Sequence, residues 1–302
     1  MARIIGGIGS SHAPSMEHVY DAGQAASEEW RPLFGAFEQV ASWFDQVRPD
    51  RLIVIYNDHF DHFFLDAYPS FAIGCADEYP IADEGQGPRA FPPVPGDADF
   101  SWHILRSLIA DEFDMTISQE LEVDHGVISP LPMLEYTKES GWRYPIVPFV
   151  SNVILHPLPR PRRFWNLGKA LRRAVLSYPA DLGVVIVGTG GLSHQLTGTA
   201  FGAVHQDWDR EFLRRVAEDP EPLTEYTYAD LMRLGGTEGV EVVQWLMMRA
   251  ALPPDVRPFL TAYYPHRIMG YGLQAYACPG YEPPADVVDA AAAASGGGGT
   301  AG

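Results

Sequence analysis

The sequence predicts an α/β fold in which a mixed central sheet is flanked by helices. Two observations carry that prediction. Short, nearly continuous apolar runs recur, clearest at Arg51–Tyr56 and Gly183–Val187, and such runs suit strands covered on both faces. Between them lie segments whose apolar residues fall at helical spacing. Strand–helix–strand alternation points to an α/β sheet.

In chain order, Ile4–Ile8 reads as a buried strand that ends in the polar turn Gly9-Ser10-Ser11-His12. Phe34, Phe37, Val40, Ala41, Phe44 and Val47 mark a helix, and Arg51–Tyr56 is a strand stopped by Asn57-Asp58. Ser70–Gly74 is a further strand. Residues 76–98, rich in Pro, Gly, Asp and Glu, read as a long ordered surface loop. Phe100–Phe113 is helical. Ile146–Ile154 is a strand whose proline makes it irregular or places it at an edge. Phe164–Tyr178 is an amphipathic helix, and Gly183–Val187 is a strand running into Gly188-Thr189-Gly190-Gly191-Leu192-Ser193-His194. Glu238–Ala251 is a helix, and Phe259–Tyr264 and Gly272–Ala277 are the final strands. Core signal stops near Pro279. One domain is therefore expected over 1–278, followed by a low-complexity, disordered tail over 279–302 in which Ala290–Ala294 precede Ser295 and four glycines.

With 46% hydrophobic and 20% charged residues among 302, the chain can bury a sizeable core. Lys and Arg number 21 against 39 Asp and Glu, a formal charge of −18. That balance argues against nucleic-acid binding, which depends on cationic contacts to phosphate, and against anionic membrane surfaces. No apolar stretch reaches membrane-spanning length, and the N-terminal apolar run is too short for a signal peptide. Cys75 and Cys278 are expected as buried free thiols. A cytoplasmic protein is the expectation.

The residues that could carry chemistry stand out by position. His12, His59 and His194 each follow a predicted strand, and in α/β folds ligands gather outside the carboxyl ends of strands. His125 sits in a further loop, Asp124-His125-Gly126. One histidine at a strand end is more often structural than functional; three in one chain require that coincidence three times. Asp58 is either a turn residue or a partner orienting His59. Glu241 lies among valines in Val240-Glu241-Val242-Val243, early in the last predicted helix. Thr237 and Glu238 are accounted for as helix-capping residues. Glu241 is either exposed between buried valines or a buried carboxylate that needs a cation. Two imidazoles and a carboxylate form the facial triad of non-haem Fe(II) oxygenases, yet a zinc hydrolase could use the same ligand types.

The motifs Gly9-Ser10-Ser11-His12-Ala13-Pro14, Tyr56-Asn57-Asp58-His59, Asp124-His125-Gly126, Gly188–Gln195 and Glu238-Gly239-Val240-Glu241, in that order, together resemble the class III extradiol dioxygenases. The likeness runs from residue 1 to about 278. It implies Fe(II) held by His12, His59 and Glu241, with His194 as the catalytic acid–base and His125 as a second active-site histidine near the substrate. It implies that a catechol and O₂ react there, with the ring opened beside the diol. It also implies a carboxylated substrate: protocatechuate first, gallate or 3-O-methylgallate as alternatives. A small helical alpha subunit and an oligomeric assembly follow from the same resemblance. Tyr263–Met269 departs from the family pattern, and Arg267 within it is a candidate for meeting a substrate carboxylate, weighed against a plain exposed arginine. From other classes, a zinc-dependent hydrolase on the same triad and a non-catalytic binding protein of the fold remain as rivals. The second expects a degraded triad, whereas all three ligands and His194 are present.

Overall fold

A computed structural model describes residues 1–283. The expected tail, from residue 284 onward, lies outside the described residues. The chain opens with β1 (Arg3–Ser10), α1 (Pro14–Asp21), α2 (Arg31–Val47) and β2 (Arg51–Tyr56). Next come β3 (Phe71–Gly74), the two-stranded ladder β4 (Glu78–Tyr79) and β5 (Val94–Pro95), α3 (Ala98–Ala110) and β6 (Thr116–Ser118). Two short helices, α4 (His125–Ile128) and α5 (Leu131–Glu135), precede a second small ladder, β7 (Tyr136–Thr137) with β8 (Gly141–Trp142). Then follow β9 (Ile146–Ser151), α6 (Pro161–Leu176) and β10 (Gly183–Thr189). Helices α7 (Gln206–Glu218), α8 (Tyr228–Gly235) and α9 (Val242–Ala251) lead to the hairpin β11 (Pro258–His266) and β12 (Met269–Ala277).

Eight strands build the main sheet in the order β11-β12-β1-β10-β2-β9-β3-β6. Its centre, β1, β10, β2 and β9, is parallel, while β12 and β3 pair antiparallel on either side. The sheet is therefore mixed and flanked by helices, as the sequence predicts. Alternate side chains of a strand point to opposite faces. Ile53 and Ile55 of β2 accordingly join an apolar cluster with α3, α6, α7 and α9, whereas Leu52, Val54 and Tyr56 join a second cluster with α1, α2 and α5. Each such fully buried aliphatic side chain contributes roughly 1.5–3 kcal/mol. Helices α6 and α9 cross closely because residue 168 is glycine: a Cβ there would stand 2.2 Å from the Met247 carbonyl oxygen.

Three expectations change. Strand β9 is internal, between β2 and β3, not at an edge. Its ladder to β3 covers only Phe149–Ser151, so Pro148 lies beyond that ladder's end and needs no donor there. The last predicted helix begins later than Glu238: a 3₁₀ turn, Gly239–Glu241, precedes α9, and Glu241 occupies the α9 N-cap position. Glu238 makes no capping bond; its carboxylate accepts from the Leu196 N–H at 2.9 Å and so ties down the loop after His194. Finally, the 76–98 loop is stitched to the sheet through the β4–β5 ladder and an Ile81–Val123 bridge. Cys75 and Cys278 are buried and free. Among the described residues no helix is long and apolar enough to cross a membrane.

Glu135, at the end of α5, is buried with one carboxyl oxygen accepting from the Arg143 and Tyr144 N–H groups at 2.8 and 3.0 Å, while the other has no partner among the described residues. Burial pushes its carboxyl up to about 8. A raised acid favours the folded state fully below its unfolded value, and that contribution fades as pH rises through the folded value. Thermal unfolding should show wild type losing stability between pH 5 and 9 relative to Glu135→Gln, which retains an acceptor without a charge. The difference should reach about 2–4 kcal/mol at pH 9; parallel pH curves for the two proteins would refute this account.

Candidate active site

The loops after β1, β2 and β10 meet because those strands are neighbours and parallel, so their C-terminal ends share one edge of the sheet. His12 follows β1, His59 follows β2, and His194 follows β10. His125 opens α4, whose N-cap, Asp124, accepts from the Gly126 N–H at 2.8 Å. Glu241 is supplied by the start of α9. Its carboxylate accepts from the Gly191 N–H at 2.6 Å. That approach needs glycine at position 190, which has φ +145° and where a Cβ would lie 2.8 Å from the Glu241 carbonyl oxygen.

The structure brings His12, His59, His125 and Glu241 together. The imidazole nitrogens of His12, His59 and His125 available as ligands lie within 4.8 Å of one another. His12 Nε2 is 3.3 Å from one Glu241 oxygen and His59 Nε2 is 3.7 Å from the other. His59 and His125 stack with ring centroids 3.7 Å apart, and His12 meets both rings edge-on. Glu241 is 7% exposed, which removes the reading of a surface glutamate between valines.

Each of these rings is gripped by its other nitrogen. His12 Nδ1 sits 2.8 Å from the Thr189 hydroxyl. That hydroxyl has one proton, directed to the Gly126 carbonyl at 2.9 Å, so it accepts from His12 Nδ1–H and leaves Nε2 bare. His59 Nδ1 lies 2.9 Å from Asp124 Oδ2, and His125 Nδ1 lies 2.6 Å from Glu84 Oε2. His194 Nδ1–H donates to the Leu192 carbonyl at 2.9 Å, and its Nε2 makes no hydrogen bond among the described residues. His194 stands next to the cluster: a Cβ on Gly191, whose N–H binds Glu241, would be 2.5 Å from His194 Cε1.

Electrostatics favour a positive charge at the centre. Burial works against a charged His59, yet Asp124 and Glu241 outweigh it and raise the imidazole to about 10. Burial lowers His12. Burial would raise Glu241, but His12 and His59 hold its carboxyl well below the usual carboxylate range. His12 Nε2 is fully buried with no hydrogen-bond partner. A buried, unpartnered nitrogen facing a carboxylate is costly unless something binds it. Imidazoles gripped at Nδ1 by a hydroxyl or carboxylate, with Nε2 turned to a carboxylate, fit a divalent cation.

Three partners escape sequence reasoning. Asp124 rather than Asp58 orients His59; Asp58 accepts from the His62 and Phe63 N–H groups and is a turn residue, pushed up to about 6 by burial. Asp209, buried, accepts from the Ser193 N–H, the Ser193 hydroxyl and the Tyr263 hydroxyl, fixing the residue before His194. Glu84 comes from the presumed surface loop. None has a local signal, since each meets its partner only through the fold. Arg267, by contrast, is exposed in the β11–β12 turn and lies 3.4 Å from Glu29. It is the plain surface arginine.

Asp124→Asn keeps a competent N-cap but removes the charge behind His59. It should weaken divalent-metal binding about 10–100-fold, measured by anaerobic titration, with unchanged circular dichroism. Unaltered affinity would show that Asp124 does not support a metal ligand.

Comparison with known proteins agrees with the geometry. Residues 6–273 match the family model described as the catalytic LigB subunit of aromatic ring-opening dioxygenase. Gallate dioxygenase of Pseudomonas putida is 48% identical over 184 residues, 61% of this chain; the match spans about half, 54%, of that protein's length. The 2,3-dihydroxyphenylpropionate/2,3-dihydroxicinnamic acid 1,2-dioxygenase of Paraburkholderia xenovorans is 28% identical over 303 residues, covering 85% of this chain and 89% of the relative. An uncharacterised protein of Escherichia coli K12 shares the fold, with a TM-score of 0.58 at 11% identity over 89% of this chain and 99% of its own. The chain belongs to the family of catalytic LigB subunits of aromatic ring-opening dioxygenases.

Proposed function

We propose that this protein is an extradiol dioxygenase that uses Fe(II), held by His12, His59 and Glu241, to open the ring of gallate. The observation that carries the reading is the buried Glu241 carboxylate facing the unpartnered Nε2 of His12 and the Nε2 of His59, which also meets the Asn57 amide at 2.9 Å, in a chain of this family. Gallate replaces protocatechuate, the first expectation from sequence, because the relative matched at 48% identity is a gallate dioxygenase. Both substrates carry adjacent ring hydroxyls and a carboxylate.

Fe(II) on two imidazoles and one carboxylate supplies open positions where a vicinal diol and O₂ can meet. The protein's own groups do the rest. His194, held by the Leu192 carbonyl, has Nε2 free to take a proton from a substrate hydroxyl and return it as the ring opens. An imidazole can both accept and donate a proton. His125, stacked on His59, offers Nε2 to a second polar group of the substrate. A cytoplasmic setting, an oligomeric assembly and a small helical partner over the site belong to the same proposal; sedimentation of the purified chain tests self-association.

Apoprotein reconstituted with Fe(II) and ascorbate should consume O₂ with gallate, and faster than with protocatechuate or 3-O-methylgallate. No Fe(II)-dependent uptake with any of the three would overturn the function, and full zinc occupancy in anaerobically purified protein would favour a hydrolase. His194→Ala should lower turnover ~10²-fold or more while iron stays bound. Full activity in that variant would remove His194 from the chemistry.

A further inference from the structure

The orienting group behind His125 is Glu84, supplied by a loop whose composition marks it only as surface. The loop is built to present it. Asp83 Oδ1 accepts from the Gly85 and Gly87 N–H groups at 2.9 and 2.7 Å, and both glycines have positive φ, which folds 83–87 into a tight turn. Upstream, the Ala82 N–H donates to the Val123 carbonyl and the Val123 N–H to the Pro80 carbonyl, at 3.0 and 2.9 Å. The turn is thereby fastened to Val123, two residues before His125.

Glu84 uses both oxygens on that one residue. Oε1 accepts from the His125 main-chain N–H at 2.7 Å, and Oε2 lies 2.6 Å from His125 Nδ1. A carboxylate offers only acceptors, so Nδ1 carries a proton, and in the neutral ring Nε2 is then the acceptor. A ring nitrogen of His125 belongs to the same 4.8 Å group of ligand atoms as His12 and His59, and Nδ1 is already engaged by Glu84.

We propose that Glu84 is a positioning residue that locks His125 in the Nδ1–H form, so that Nε2 accepts a hydrogen bond from a substrate hydroxyl beside the metal. The inference rests on the dioxygenase reading for its substrate, but its structural half does not. Two contacts from a single side chain hold both the backbone and the ring of His125, so the ring can neither rotate nor exchange its proton for the other form without losing a charge-assisted bond.

Glu84→Gln separates orientation from packing. Its amide can accept from the His125 main-chain N–H only by turning its NH₂ toward Nδ1, which favours the opposite form, with the proton on Nε2. Imidazole ¹⁵N shifts of His125, recorded on zinc-loaded protein to avoid paramagnetic broadening, should report Nδ1–H in wild type. They should report a shift toward Nε2–H in Glu84→Gln and a mixture in Glu84→Ala. With Fe(II) and gallate, Glu84→Gln should lose 10-fold or more in kcat/KM and fall below Glu84→Ala, while Fe(II) affinity stays within about twofold of wild type. Unchanged ¹⁵N shifts in Glu84→Gln would overturn the positioning role. Fe(II) affinity falling in step with activity would overturn it too, by making His125 a ligand. If wild type turns over none of gallate, protocatechuate and 3-O-methylgallate, the dioxygenase reading fails, and the ¹⁵N shifts still decide what Glu84 does.

Discussion

A carboxylate taken out of water has to be answered by positive charge, and Glu241 sets that condition for the rest of the site. It is buried at the start of α9, with the Gly191 N–H and the helix N-terminus on one side and two imidazoles on the other. Neither histidine is free to turn toward a different partner. Thr189 holds the first and Asp124 the second, so the nitrogens facing Glu241 are fixed before any ion arrives. Preorganisation of that kind spares the cost of ordering side chains at the moment of binding. Positive charge is what such a pocket lacks, and a raised His59 expresses the same demand when only protons are on offer.

Much of this was legible in the sequence because strand ends are easy to read. Apolar runs ending at Ile8, Tyr56 and Val187 marked three strands, and histidines soon after each marked one edge of a sheet. What periodicity could not provide was the strand order. That β1, β10 and β2 are adjacent, although β10 lies more than a hundred residues beyond β2, is a property of the fold. The misplacement of β9 has a related cause. Pro148 excludes a donor from one position, and the sequence does not show that the neighbouring ladder stops at Phe149.

The orienting residues were illegible for a different reason. Thr189, Asp124, Glu84 and Asp209 are ordinary polar residues of loops, caps and helices, and nothing in their neighbours distinguishes them. Asp58, adjacent to His59, could be read either as its companion or as a turn residue; its side chain points back into its own turn, while Asp124 arrives from 65 residues away. Helix α7 shows the converse case: Trp208, Phe212, Leu213 and Val216 form a readable stripe inside a segment so charged that the eye passes over it.

The adjacency of β1, β10 and β2 also governs how the protein can come to be. His12, His59 and Glu241 are scattered through most of the polypeptide, and no local segment carries more than one of them. The centre can exist only after long-range pairing is complete, and a slip of one residue in β10 would turn Thr189 to the wrong face. Pairings of this separation form late and slowly. A nascent or partly folded chain should therefore have little grip on metal, and loading would come as a final, cooperative event that registers whether the whole sheet has closed correctly.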